Sequence, residues 1–216
     1  MENTFLVIGA AGGIGRQAAE VALSQGYRVI AVLRTPAKLS LVHPSLTIVQ
    51  GDVLQPATYE EYLTEGTIVL SAVGIPAGFF HDEPTSLYSD GARQILAAMH
   101  RRGARRAYFI SASAVEVSPV LPAFVRWVAK NIVQKLLRHM YADLRKMEDQ
   151  VKESRLDWTI VRPPRLTDKK MTGQYRFAVN SFLRNCLSIS RADVGHFMVH
   201  HAKDRGLFQG VVEIGY

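Results

Sequence analysis

Short apolar runs without polar alternation recur along this chain, each ending in a glycine or polar turn and most followed by a segment of helical period. The first run is Thr4 to Ile8. After it, Ile14, Ala18, Val21 and Ala22 recur at three- to four-residue spacing, which places them on one helical face. Gly26 reads as the stop of that helix. Further runs span Tyr27 to Leu33, Leu46 to Gln50, Thr67 to Ala72, Arg106 to Ser111, Asp157 to Arg162 and Phe208 to Ile214. Helical patterns fall at 56–64, 85–101, 123–154 and 191–202. A strand apolar on both sides is covered on both faces, and strands alternating with helices predict a parallel sheet wound on both sides. The expectation is an α/β chain folded as one doubly wound domain over residues 1–216, with a mainly parallel sheet of about seven strands.

In such sheets ligands bind beyond the carboxyl ends of the strands, at the point where strand order reverses. The first strand end carries Gly9-Ala10-Ala11-Gly12-Gly13-Ile14-Gly15. Gly9, Gly12 and Gly15 fit G-x-x-G-x-x-G, and Gly9, Gly13 and Gly15 fit G-x-x-x-G-x-G. Strand, glycine turn and helix in that order aim unpaired backbone N–H groups and the positive end of a helix dipole at an anion, here a dinucleotide pyrophosphate.

The other strand ends supply further candidates. The second is followed by Arg34, Thr35 and Lys38, where an NAD-specific fold places an acid. An arginine there pairs with a 2′-phosphate, which predicts NADP(H). The third is followed by Asp52 and Val53; Asp52 fits an acceptor for the adenine amino group and fits a turn or N-cap aspartate equally well. Ala72, Val73 and Gly74 follow the fourth and are small enough for a cofactor to pass near the backbone. Ser111 and Ser113 end the fifth, where a serine can hydrogen-bond a substrate carbonyl; if the strand stays extended, both face the same side. Pro163 and Pro164 stiffen the loop after the sixth.

Together the segments GAAGGIG, GDV, ISASA, the run from Met147 through WTIVRPP, and Ser190-Arg191-Ala192-Asp193-Val194-Gly195 resemble the atypical NAD(P)H-binding branch of the short-chain dehydrogenase/reductases. That branch holds NmrA-like proteins and the biliverdin reductase B/flavin reductase type. The resemblance implies a Rossmann-like fold and a cofactor site drawn from Gly9, Gly12, Gly13, Ile14, Gly15, Arg34, Asp52, Val53, Ala72, Val73, Gly74, Ser111 and Pro163. The superfamily's usual catalytic pair is Tyr-x-x-x-Lys. Here Tyr141 is followed at that spacing by Arg145, and aligning instead on Glu148 puts Met140 and Leu144 at the two positions. The catalytic candidates are therefore Ser113 and Ser111 ahead of Tyr141, for which a packing role is the better reading.

Composition narrows the classes. Apolar residues make up 48%, enough for a core, and no stretch approaches the ~20 apolar residues of a membrane span. The early first strand predicts no signal or transit peptide, and one cysteine, Cys186, fits a reducing cytoplasm and a small buried hydrophobe. The net charge of +7 favours anionic partners. In 123–154, Phe124, Trp127, Val128, Leu136, Leu137 and Met140 approximate an apolar face, with Arg126, Lys130, Lys135 and Arg138 opposite. That predicts a core-packed helix with a solvated basic face, and the resemblance implies that this segment roofs the substrate pocket. His196, His200 and His201 lie close together but lack acidic or thiol companions, so no metal is expected. The leading expectation is an NADPH-dependent reductase of a small conjugated acceptor, flavin- or quinone-like, with no nucleic-acid or membrane partner. The alternative is a non-catalytic NADP(H)-sensing regulator of the NmrA-like type.

Overall fold

The apolar runs are strands because both of their faces are covered. The computed structural model describes residues 4–75, 84–120 and 122–216. Its strands are β1 (Thr4–Ile8), β2 (Arg28–Leu33), β3 (Leu46–Gln50), β4 (Thr67–Ser71), β5 (Arg106–Ile110), β6 (Asp157–Arg162), β7 (Arg165–Thr167), β8 (Arg176–Val179), β9 (Ser188–Ser190) and β10 (Gly210–Gly215). Its α-helical segments are α1 (Gly13–Ser24), α2 (Leu87–Arg102), α3 (Ala123–Val128), α4 (Gln134–Leu136), α5 (Arg138–Glu153) and α6 (Arg191–His200).

The main sheet has eight strands in the order β3-β2-β1-β4-β5-β6-β10-β8. Neighbours are parallel except the edge pair β10 and β8. Strand order reverses between β1 and β4, which opens a crevice over their carboxyl ends. Phe5 and Val7 point to the α1 and α6 side, and Leu6 and Ile8 to the α2 and α5 side, in two separate cores. Each such side chain, fully buried, contributes about 1.5–3 kcal/mol.

The structure corrects the sequence reading in three places. The sheet gains β8, which sequence patterning missed because Arg176 and Phe177 are exposed at the sheet edge; β7 and β9 form a separate two-stranded ladder. The segment 56–64 is not an α-helix but two 3₁₀ turns, Pro56–Thr58 and Glu60–Tyr62. Tyr59 and Leu63 are buried four residues apart, which imitates a helical face, while Leu63 itself is extended. The stretch 123–154 is not one helix. A π-helical turn, Ala129–Val133, interrupts it, and Leu137 (φ −110°, ψ 26°) leaves helical geometry before α5.

The same stretch turns the expected face inward only in part: Leu137 and Met140 pack against the core. Val125, Ala129 and Val133 line a cavity, whereas Phe124 (76% exposed), Trp127 and Leu136 face outward. The wide π turn carries the inward stripe off the positions that uniform helical spacing selects.

Candidate functional site

The glycine turn has the geometry its spacing implies. Gly9 has φ +85°, and a Cβ there would stand 2.6 Å from the Ala72 carbonyl oxygen at the end of β4. A Cβ on Gly15 would meet the Gly9 carbonyl oxygen at 2.4 Å, so α1 seats directly on the turn. The turn is closed by the Gly12 N–H donating to the Gly9 carbonyl at 2.9 Å. Gly12 caps α1 without a side-chain hydrogen bond, and Ala11, Gly12 and Gly13 are exposed. The first N–H groups of α1 therefore present a site for an anion. Ile14 is buried in the core, so only its backbone can take part. Sequence reasoning quoted Arg191 as part of a motif but did not place it. Its aliphatic stem lies across Gly13, whose added Cβ would be 2.3 Å from Arg191 Cδ. Its guanidinium pairs with Asp168 at 2.6 Å.

Arg34 stands exposed just past β2, and no carboxylate pairs with it among the described residues. Asp52 accepts from the Leu54 N–H at 2.9 Å, the turn-forming bond that is the alternative to a ligand contact. Val53 is core, and its carbonyl accepts from the Tyr59 hydroxyl at 3.2 Å. Ala72, Val73 and Gly74 are half-buried to exposed at the crevice.

The two candidate serines part company. Strand β5 ends at Ile110, and after the extended Ala112 a 3₁₀ turn, Ser113–Val115, begins. The expected alternation that would align Ser111 with Ser113 therefore stops short. Ser111 is buried, and its hydroxyl donates to Glu148 Oε1 at 2.7 Å. Ser113 lines the cavity, and its N–H donates to the Pro163 carbonyl at 3.0 Å, which ties the ends of β5 and β6 together. Tyr141 lies in the core at 5% exposure, and burial raises its phenol pKa further. Arg145, at the position a lysine would hold, donates instead to the Val115 carbonyl at 3.0 and 3.3 Å.

Beneath Ser113 lies a buried ion pair that the sequence did not disclose. Arg162, at the end of β6, forks onto Glu148 of α5 through Nε at 2.9 Å and Nη2 at 2.6 Å. Its Nη1 donates to Glu116 at 2.8 Å. Burial on its own raises the Glu148 pKa, but the Arg162 fork, the Ser111 hydroxyl and Lys152 outweigh it and hold it below the usual carboxylate value. The fork locks the strand ends on which Ser113 and Pro163 sit.

A cavity of about 260 Å³ opens between these strand ends and the broken helix. Ser113, Ala114, Val117 and Ser118 wall one side, and Val125, Ala129 and Val133 form its roof. Pro164 and Arg165 after β6, Leu183, Cys186 and Leu187 before β9, and Glu213 of β10 complete it. Cys186 donates to the Ile214 carbonyl at 3.2 Å, and burial pushes its thiol up to about 11, so it is a neutral wall residue. Among the described residues no trio of histidine, cysteine or carboxylate side chains is arranged to hold a metal. His196 instead shares a hydrogen bond with the Tyr175 hydroxyl at 2.8 Å. No helix among them is long and apolar enough to cross a membrane.

Comparison with known proteins agrees with this geometry. Averufin oxidase A of Aspergillus flavus is 26% identical over 96% of this chain and 80% of its own length. A UPF0659 protein of Schizosaccharomyces pombe is 24% identical over 98% of this chain and 89% of its own. Among solved structures, a Lactobacillus casei protein superposes with TM-score 0.80 at 16% identity, covering 98% of each chain. A short-chain dehydrogenase/reductase of Veillonella parvula in complex with NADP superposes with TM-score 0.75 at 18% identity, covering 100% of this chain and 95% of that one. A family model described as NAD(P)H-binding matches residues 9–205, from the first glycine of the turn to beyond α6. With the glycine turn, the uncapped helix and the strand order all in place, the chain belongs to the NAD(P)H-binding family.

Proposed function

We propose that the protein is an NADPH-dependent reductase of a small conjugated acceptor, flavin- or quinone-like, working as one domain over residues 1–216. The observation that carries this reading is the position of the cavity. It begins at Ser113 and Pro164, at the same carboxyl edge of the sheet as the glycine turn. Its walls are mainly Val, Ala, Leu and Pro, which suit a flat apolar ring system, and its volume of about 260 Å³ falls just below the ~300–1,000 Å³ of small-molecule sites, which favours a small ligand. A relative bears the name of an oxidase, and a structural neighbour holds NADP.

In this reading the glycine turn and the N-terminus of α1 hold the pyrophosphate. Arg34, with Thr35 and Lys38 nearby, holds the 2′-phosphate, and Asp52 receives the adenine. Ala72, Val73 and Gly74 give the nicotinamide half its passage towards Ser113 and Pro163. The reduced nicotinamide supplies a hydride, and the chain's own residues position an acceptor to receive it and exclude water. Ser113 orients the acceptor by hydrogen bonding. Ser111 acts through Glu148, as a positioning residue. The partner is a small molecule, with the cytoplasm as the expected location.

The burial of Tyr141 and the commitment of Arg145 to a backbone carbonyl favour a second reading, a non-catalytic NADP(H) sensor. Anaerobic mixing with NADPH and a panel of flavins, quinones and carbonyls decides. Acceptor-dependent loss of the reduced nicotinamide absorbance is expected with a flavin or quinone; tight NADPH binding with no oxidation by any acceptor would establish the sensor.

A further inference from the structure

Glu213 is a carboxylate in a strand otherwise made of Gly, Val and Ile, and it is 4% exposed. One of its oxygens is accounted for: the Leu183 N–H donates to Oε2 at 2.8 Å. The other, Oε1, is fully buried and has no hydrogen-bond partner among the described residues. A buried polar atom left unpaired is costly, so a fold retains one where something else compensates. Here the side chain lines the cavity.

The neighbours do not neutralise it. Arg162 is its register partner on β6, but that guanidinium is bonded to Glu148 and Glu116. Glu116 adds a like charge from the loop after β5. Ala178 is its partner on β8, whose nearest cation, Arg176, donates to the Arg184 and Tyr216 carbonyls. Cys186 faces it as a neutral thiol, and Arg165 shares the cavity wall. Burial raises the Glu213 pKa, and the Leu183 N–H and Arg162 lower it by less.

We propose that Glu213 binds the acceptor in this cavity through its unpaired carboxyl oxygen, donating a hydrogen bond to a carbonyl oxygen of the ligand, and hands that oxygen its proton during reduction. The proposal rests on the reductase reading for its second half and on the cavity alone for its first. The ligand class follows: a planar carbonyl compound such as a quinone, because the cavity walls are mainly apolar and a carboxyl O–H suits a carbonyl oxygen. For a quinone the balance is complete. Reduced nicotinamide, the hydride donor, gives two electrons and one proton. The O–H bond of Glu213 breaks as the second O–H bond of the hydroquinone forms. Water then reprotonates the carboxylate.

The test begins without cofactor. Binding of 2-methyl-1,4-naphthoquinone, which does not titrate between pH 4.5 and 8, is followed by tryptophan quenching in the wild-type protein and in Glu213→Gln. Wild-type affinity should fall about tenfold as pH rises and the carboxyl ionises, the scale of one hydrogen bond lost. Glu213→Gln keeps an N–H donor and can still accept from Leu183, so its affinity should be independent of pH. With NADPH added, Glu213→Gln should lose about 10²-fold in kcat, as for a lost general acid, with KM little changed. Undetectable quinone binding, or wild-type binding that does not vary with pH, overturns the proposal without needing any variant. A full kcat in Glu213→Gln overturns the proton transfer and leaves the reductase reading standing. Binding that weakens with pH in the wild type alone, with no NADPH oxidation by any acceptor, supports the ligand contact and removes the reductase reading instead.

Discussion

Arg162 and Glu213 face each other across the β6–β10 ladder, yet their charges are not joined: the Arg162 guanidinium is held by Glu148 and Glu116. The arrangement divides labour between two carboxylates on one side of the sheet. Glu148 is the structural counter-ion, held ionised by a two-point fork. Glu213 is left with an unpaired oxygen at a cavity.

Removing Glu148 should therefore be costly to the fold. Glu148→Ala leaves the buried Arg162 with Glu116 alone, and breaking a buried pair in this way costs about 3–5 kcal/mol. Urea denaturation should show a lower midpoint at pH 7. The pH dependence has a definite sign. The folded pKa of Glu148 lies below its unfolded value of about 4.3, so its contribution is fully present above that pH and is lost as pH falls through the folded value. The variant should lose less stability than wild type on acidification from pH 5 to pH 3. An equal loss in both would show that Glu148 carries no stabilising charge.

The exposed Arg34 should decide between the two nicotinamide cofactors. Arg34→Ala should weaken NADPH by about 1.5–3 kcal/mol, roughly tenfold or more, and leave NADH within a factor of two or so. Fluorescence titration of both nucleotides against both proteins measures this. Equal wild-type affinities for NADPH and NADH would remove the 2′-phosphate role.

The serines should separate by the kind of damage they cause. Ser113→Ala, at the cavity, should lower kcat/KM about tenfold with the fold intact. Ser111→Ala removes a donor to buried Glu148, and about 1–2 kcal/mol of stability should go with it. Tyr141→Phe should retain most activity, since its phenol is in the core and burial holds it protonated. Parallel thermal melts and steady-state kinetics check all three. A ~10²-fold collapse in Tyr141→Phe alone would restore the tyrosine as general acid.

Some of this was legible in the residues. The run Thr4–Ile8 and the glycines after it carry their geometry locally, because a doubly covered strand must be apolar throughout and the turn at Gly9 needs a positive φ. Arg34 was visible as the residue directly after a strand. The ion pair was not, because Ser111, Glu148 and Arg162 come from three elements and nothing in the order of residues says that their side chains meet. Ser113 was seen, but its separation from Ser111 depends on a 3₁₀ turn that follows no sequence period. Glu213 did leave a signal. A carboxylate between Val212 and Ile214, inside a strand read as buried, requires a partner or a task. The apolar members of the strand, which set its period, hide that requirement.

The π turn at Ala129–Val133 has a consequence for how the acceptor preference can change. A π turn holds one residue more than the α-helical turn it replaces. Removing a single residue there would let the turn close to ordinary α-helical winding without turning the residues before it onto another face, because the wider turn already absorbs the extra residue. The same deletion in a regular α-helical turn would rotate everything before it by about 100°. One codon's deletion at the π turn would thus leave Val125 over the cavity and the aliphatic walls in place. A change of acceptor preference should come instead from substitutions along Val125, Ala129 and Val133, even where every strand-end residue is the same.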